Sequence, residues 1–183
     1  MKVITGSARG RNLKTLDGMD TRPTSNMIKQ SMFNIIQFDI EGRRVLDLFS
    51  GSGQLAIEAL SRGAASAVCV DNSHAAMNII KQNLAHTGFE QQSKTFLGDG
   101  INFLKTTGQK FDIIFIDPPY ESGLAQIALE KIYEFDILSI GGIIVVEKSS
   151  DTNLSDPPRP YVRGKEYAYS RKSVEIFTKE GNV

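Results

Sequence analysis

The sequence has no tryptophan, one cysteine and two histidines. With Cys69 as the single thiol, no internal disulfide can form, and a reducing compartment is implied. Cys69 lies in the apolar run Ala67-Val68-Cys69-Val70, so it reads as a buried structural thiol rather than a nucleophile. His74 and His86 have no cysteine or histidine at ligand spacing, so no metal site is expected. Excess charge of either sign is also missing. The 21 basic and 21 acidic side chains cancel, which argues against nonspecific coating of nucleic acid. No stretch is long and apolar enough to span a membrane, and no apolar signal-peptide core follows Lys2. A cytoplasmic protein without a membrane partner is therefore expected. The 183 residues, 40% hydrophobic, suffice for one cored domain with a small appendage.

Basic residues do cluster locally. Lys2, Arg9, Arg11, Lys14, Arg22 and Lys29 face only Asp17 and Asp20 in the first part of the chain, and Arg159, Arg163, Lys165, Arg171 and Lys172 enrich the last part. These are either two solvated ends or phosphate contacts flanking a central site.

The chain opens with a short hairpin pattern, Val3-Ile4 and Asn12-Leu13, joined by the loop Gly6 to Arg11. Thr24 is placed to cap a helix that runs to about Phe38, since Ile28, Met32, Ile35 and Ile36 keep helical spacing. Strands then alternate with helices. Strand patterns occur at Val45–Phe49, Ser66–Asp71, Thr95–Leu97, Phe111–Ile116 and, opened by Gly141-Gly142, Ile143–Glu147. Tyr161–Tyr169 and Lys172–Thr178 follow as two strands with no helix between them. The alternation predicts an α/β fold: a mostly parallel sheet covered on both faces, with a C-terminal antiparallel hairpin.

Chemistry concentrates at the carboxyl ends of the predicted strands. Asp47-Leu48-Phe49-Ser50-Gly51-Ser52-Gly53 joins the first strand to a helix, where glycines let a ligand approach the backbone. Gly51 to Ala56 also satisfies the dinucleotide pattern, which keeps a nicotinamide-dependent oxidoreductase in contention. Asp47, however, opposes a pyrophosphate and suits a cofactor that carries an ammonium group and no phosphate. Asp71, Asp99 and Asp117 recur at the next strand ends, the edge where doubly wound sheets bind ligands. Asp112 and Asp136 read as structural.

Asp117-Pro118-Pro119-Tyr120 is either a plain strand stop or a clamp for a flat, amine-bearing ring. As a clamp, the Asp117 carboxylate accepts from the amine, a proline carbonyl assists, and Tyr120 stacks on the base. The four acids and the glycine loop favour the clamp, and they leave a noncatalytic RNA-binding protein as the weaker alternative.

These motifs resemble class I S-adenosylmethionine-dependent methyltransferases acting on exocyclic amines. Arg9-Gly10-Arg11, Arg22-Pro23-Thr24, Lys29 with Ser31 to Ile35, and Glu58 to Ala64 narrow the resemblance to the bacterial RsmD family, across nearly the whole chain. The resemblance implies a Rossmann-like seven-stranded fold with a basic RNA-contacting extension, residues 1–40, before a methyltransferase domain, 41–183. It implies N2 methylation of a guanine in 16S ribosomal RNA, by a monomer acting on the RNA or on an assembling 30S particle. Asp47, Gly51 and Gly53 would line the methionine part of S-adenosylmethionine, Asp71 would hold its ribose and Asp99 its adenine, with Phe49 and Asn72 also binding the cofactor. Asp117, Pro118 and Tyr120 would hold the target base, and Arg9, Arg11, Arg22 and Lys29 would grip RNA. Asp-Pro-Pro-Tyr alone also suits a DNA adenine-N6 methyltransferase. Gln30, Ser50 and Gln54 depart from the family pattern, where Glu, Ala and a small residue are expected.

Overall fold

The computed structural model describes residues 1–16, 23–119 and 123–181. The elements run α1 (Pro23–Ile35), β1 (Arg44–Asp47), α2 (Gln54–Ser61), β2 (Ser66–Asp71), α3 (His74–Thr87), β3 (Ser93–Leu97), α4 (Gly100–Thr106), β4 (Phe111–Ile116), α5 (Leu124–Glu134), β5 (Leu138–Ser149), β6 (Tyr161–Tyr169) and β7 (Lys172–Lys179). The strands form one seven-stranded sheet in the order β3-β2-β1-β4-β5-β7-β6. β1 to β5 are parallel, and β7 runs antiparallel between β5 and β6. This is the Rossmann-like class I methyltransferase fold that the resemblance implies.

Alternation along each strand builds the two faces. Val45, Cys69, Ile113, Phe115 and Val145 point into the core shared with α1, α2 and α3. Leu46, Val68, Ile114, Ile116 and Val146 point into the core under α4 and α5. Both faces are apolar, so the central strands read as continuous hydrophobic runs. Capping sets the helix ends: Ser73 Oγ accepts from Ala76 N at 3.3 Å at the start of α3, and Gly88, at φ 80°, ends it.

Four local expectations change. The N-terminal hairpin reduces to one antiparallel bridge, Lys2 to Asn12. Thr24 lies inside α1, which begins at Pro23; proline's fixed φ suits the first helical position. α1 ends at Ile35, and Phe38 is 92% exposed beyond it. β5 starts at Leu138 rather than at Ile143, because Gly141, at φ 69°, takes up a register shift instead of starting the strand.

The N-terminal segment docks through a buried charge. Glu58 on α2 is fully buried and accepts from Ile4 N at 2.8 Å and Thr5 N at 3.0 Å. Arg62 Nε donates to it at 2.9 Å, and Lys29 Nζ pairs with it at 3.4 Å. Val3, Ala8 and Leu13 join α1 and α2 in one hydrophobic core. Residues 1–16 and α1 thus share the core of the sheet.

Glu58→Ala leaves a buried lysine without its counter-ion and two amides without acceptors. It should lower unfolding free energy by about 3–5 kcal/mol, measured by urea denaturation.

Candidate active site

The order of the sheet reverses between β1 and β4, and a cavity of about 910 Å³ opens there, outside the carboxyl ends of the strands. The glycine loop forms one wall. Ser50 Oγ donates to Asp47 O at 2.7 Å, which curls the loop back over β1. Gly51 N donates to Asp71 Oδ2 at 2.8 Å, and Ser73 N donates to Asp71 Oδ1 at 2.9 Å. Asp71 therefore ties the loop to the end of β2 while lining the cavity. Gly53 has φ 76°, and an added Cβ would lie 3.4 Å from the branch carbons of Ile80. Its role is the turn and close packing of α2 on α3. Asp99 caps α4 by accepting from Asn102 N at 2.7 Å, and it too faces the cavity.

Asp117, Pro118 and Pro119 line the same cavity, together with Glu147 near the end of β5 and Lys172 at the start of β7. Asp117 is open to the cavity and otherwise enclosed by protein. Burial pushes its carboxyl up to about 6, while the Lys172 ammonium pulls it back down. Lys172 Nζ donates to Glu147 Oε1. Burial, and then the charge of Asp117, push the Glu147 carboxyl upward.

The structure brings most of the expected residues together. Phe49, Gly51, Asp71, Asn72, Asp99, Asp117 and Pro118 line one cavity. Asp47 and Gly53 sit beneath its wall. Asp47 is 1% exposed; its Oδ2 accepts from Ala56 N at 3.2 Å, and its Oδ1 has no partner among the described residues. Burial, countered by the Ala56 amide and reinforced by Asp117 and Asp71, pushes its carboxyl up to about 7. Arg9 and Arg11 are exposed in the N-terminal loop, where Arg11 Nη1 donates to His86 O at 2.6 Å. Arg22 and Tyr120 lie outside the described residues.

Lys29 requires a correction. It is 2% exposed, donates to Lys2 O at 3.1 Å and pairs with Glu58, so it is an internal cation rather than part of an exposed basic face. It also borders the cavity, and desolvation lowers its pKa against the pull of Glu58. The departures are placed as well. Gln30 is exposed, Ser50 is buried in the loop, and Gln54 lines the cavity, so its side chain faces any ligand there. Asp112 pairs with Arg44 at 3.0 Å, and Asp136 accepts from Tyr161 Oη at 3.0 Å, which are structural roles.

Glu147 and Lys172 join the cavity although no motif marks them as site residues. Glu147 carried a usable signal, an acid at the end of a fifth strand. Lys172 stands out only as one of the C-terminal basic cluster, because it is the antiparallel return of β7 that brings it to this edge.

The raised Asp47 carboxyl has a stability consequence. Between about pH 4 and 7 the unfolded chain releases this proton and the folded chain keeps it, so stability falls as pH rises through that window. Asp47→Asn keeps an acceptor for Ala56 N and removes the titration. Its melting temperature relative to the parent should rise at pH 8 and show little gain at pH 4, read by calorimetry.

Comparison with known proteins agrees with this geometry. The family model described as conserved hypothetical protein 95 matches residues 1–178. YlbH of Bacillus subtilis, named provisionally as an rRNA methyltransferase, is 36% identical over 99% of this chain and 100% of its own. Ribosomal RNA small subunit methyltransferase D of Escherichia coli is 28% identical over 98% of this chain and 90% of its own. The solved Escherichia coli structure of yhhF, named provisionally as a methyltransferase, superposes with a TM-score of 0.89 at 28% identity, covering 100% of this chain and 99% of the other. On this agreement of sequence and fold, the chain belongs to the conserved hypothetical protein 95 family, the RsmD family that its motifs resemble.

Proposed function

We propose that this protein transfers a methyl group from S-adenosylmethionine to the N2 amine of a guanine in small-subunit ribosomal RNA. The observation that carries the reading is that the glycine loop and Asp117-Pro118-Pro119 line one cavity. A relative in Haemophilus influenzae, 32% identical over 86% of this chain, is also named ribosomal RNA small subunit methyltransferase D, which supports the RNA substrate.

The residues present fit the cofactor. Asp47, Asp71 and Asp117 crowd this edge closely enough that Asp71 and Asp117 both raise the Asp47 carboxyl. Such a site favours a ligand bearing cationic groups. It disfavours a pyrophosphate, the more so because the Gly51 amide is already given to Asp71. That speaks against a nicotinamide dinucleotide. Asp71 and Asn72 would hold ribose hydroxyls, and Asp99 would take the adenine amine. S-adenosylmethionine, when bound, supplies a methyl group on a sulfonium centre.

The chain's own residues then do the positioning. The guanine amine is a weak nucleophile, because its lone pair is delocalised into the ring. Asp117, with the Pro118 carbonyl, accepts the amine hydrogens and localises that lone pair on nitrogen. Its negative charge stabilises the positive charge that grows there. Pro118 and Pro119 restrict the backbone, so the orientation is set before the base arrives. A base inside a duplex is unreachable, so the target is taken from a loop or flipped out. Arg9 and Arg11 supply exposed phosphate contacts. A noncatalytic RNA-binding role leaves the convergence of acids on the cavity without purpose. DNA adenine methylation shares the chemistry and is separated by the substrate.

Calorimetry should show binding of S-adenosylmethionine and none of NAD. Loss of the gene should remove one N2-methylguanine from small-subunit rRNA, mapped by mass spectrometry; an unchanged set overturns the proposal. Asp117→Asn should reduce kcat by about 10²–10³ with cofactor binding unchanged. Because Asp117 acts as its anion, the single-turnover rate should climb with pH through about 6 and then level off.

A further inference from the structure

Methylation leaves the amine nitrogen with one proton too many, and Asp117 is the group nearest to take it. The structure supplies a second acceptor beside it. Ile116 pairs with Val146 in the parallel β4–β5 ladder, so the next residues are neighbours: Asp117, just past the end of β4, and Glu147, still within β5. Alternation sends both to the face of Phe115 and Val145, under α1. Glu147 pairs with Val174 across the antiparallel β5–β7 ladder, which places Lys172 diagonally from it on the same face. The Lys172 ammonium contacts Glu147 and acts electrostatically on Asp117. All three side chains line the cavity.

We propose that Glu147, clamped by Lys172, takes from Asp117 the proton that the substrate amine must lose after methylation. The inference rests on the methyltransferase reading. In the step, the N–H bond breaks and its electron pair stays on nitrogen. An O–H bond forms on Asp117, and the proton passes to Glu147 and then to water. No further reactant is needed. Lys172 is a positioning residue: it holds Glu147 against Asp117 and keeps Asp117 ionised between turnovers. The other charged groups at this edge are Asp47 from β1, Asp71 from β2, Lys29 from α1 and Arg171 from the β6–β7 turn. Asp47 and Asp117 oppose each other's ionisation, and of the three cations it is Lys172 that acts on Asp117 to offset this.

The test compares the wild type with Lys172→Gln, Lys172→Arg and Glu147→Gln. Single-turnover methylation is followed from pH 5 to 9, on small-subunit rRNA from cells lacking the gene. Lys172→Gln should move the acidic limb to higher pH by about one pH unit, and Lys172→Arg should restore it. Glu147→Gln should lower the plateau at least about tenfold with cofactor binding unchanged. Carboxyl NMR titration of the ligand-free proteins supplies a readout independent of activity: Asp117 should titrate higher in Lys172→Gln than in the wild type. Equal Asp117 titrations, or pH profiles that fall uniformly without displacement, overturn the proposal. If the wild type methylates no guanine while the NMR shift appears, the methyltransferase reading fails and the charge coupling stands. Melting temperatures identify unfolded variants, and if Lys172→Gln does not fold, a Glu147→Gln plateau equal to the wild type's overturns the proposal on its own.

Discussion

Carboxylates converge where parallel strands end, and the site is organised around the repulsion that results. The ladders place Asp47, Asp71, Asp117 and Glu147 at one edge of the sheet. Asp47, Asp117 and Glu147 all have raised carboxyl pKa values, with burial as the first cause of each. An arrangement of this kind opposes folding and persists only where something offsets it. Backbone amides offset part of it: Gly51 and Ser73 serve Asp71, and Ala56 serves Asp47. Lys172 offsets another part at Glu147 and Asp117. What remains is a cavity poised for cations, which is the electrostatic character a sulfonium donor and a developing ammonium both require.

Glu58 couples this edge to the N-terminal segment. It sits on α2, the helix that the glycine loop begins, and it binds both the backbone of residues 4–5 and the Lys29 side chain of α1. Met1, Thr15 and Leu16 reach the cavity rim from the same segment. The basic loop with Arg9 and Arg11 is therefore held in fixed relation to the site by a buried ion network and a shared core. Under the proposed function, a substrate touching that loop would meet the cavity in a set orientation.

Legibility in the sequence followed the strength of local signals. β2 and β4 match their expected bounds, Ser66–Asp71 and Phe111–Ile116, because each is a continuous apolar run between polar residues. β5 was read short because a glycine pair inside a strand looks like a boundary; Gly141 instead absorbs a register shift. Lys29 belongs to a basic stretch, where the resemblance implies an RNA contact, but it is buried. Its burial depends on Glu58, 29 residues later in the chain. Asp47 was read as a cavity residue because it precedes the glycines, yet the loop curls over it.

By itself the sequence determined the alternation of elements, the acids at four strand ends, the glycine turn and the Asp117-Pro118-Pro119 segment. These follow from periodicity and backbone preference, which act over a few residues. Tertiary structure alone decided which of those acids face the cavity, and it buried Lys29. It also brought Glu147 and Lys172 beside Asp117. The physical reason is that charge coupling and burial depend on distance in space. The antiparallel return of β7 sets a separation, between residues 117 and 172, that no local pattern encodes.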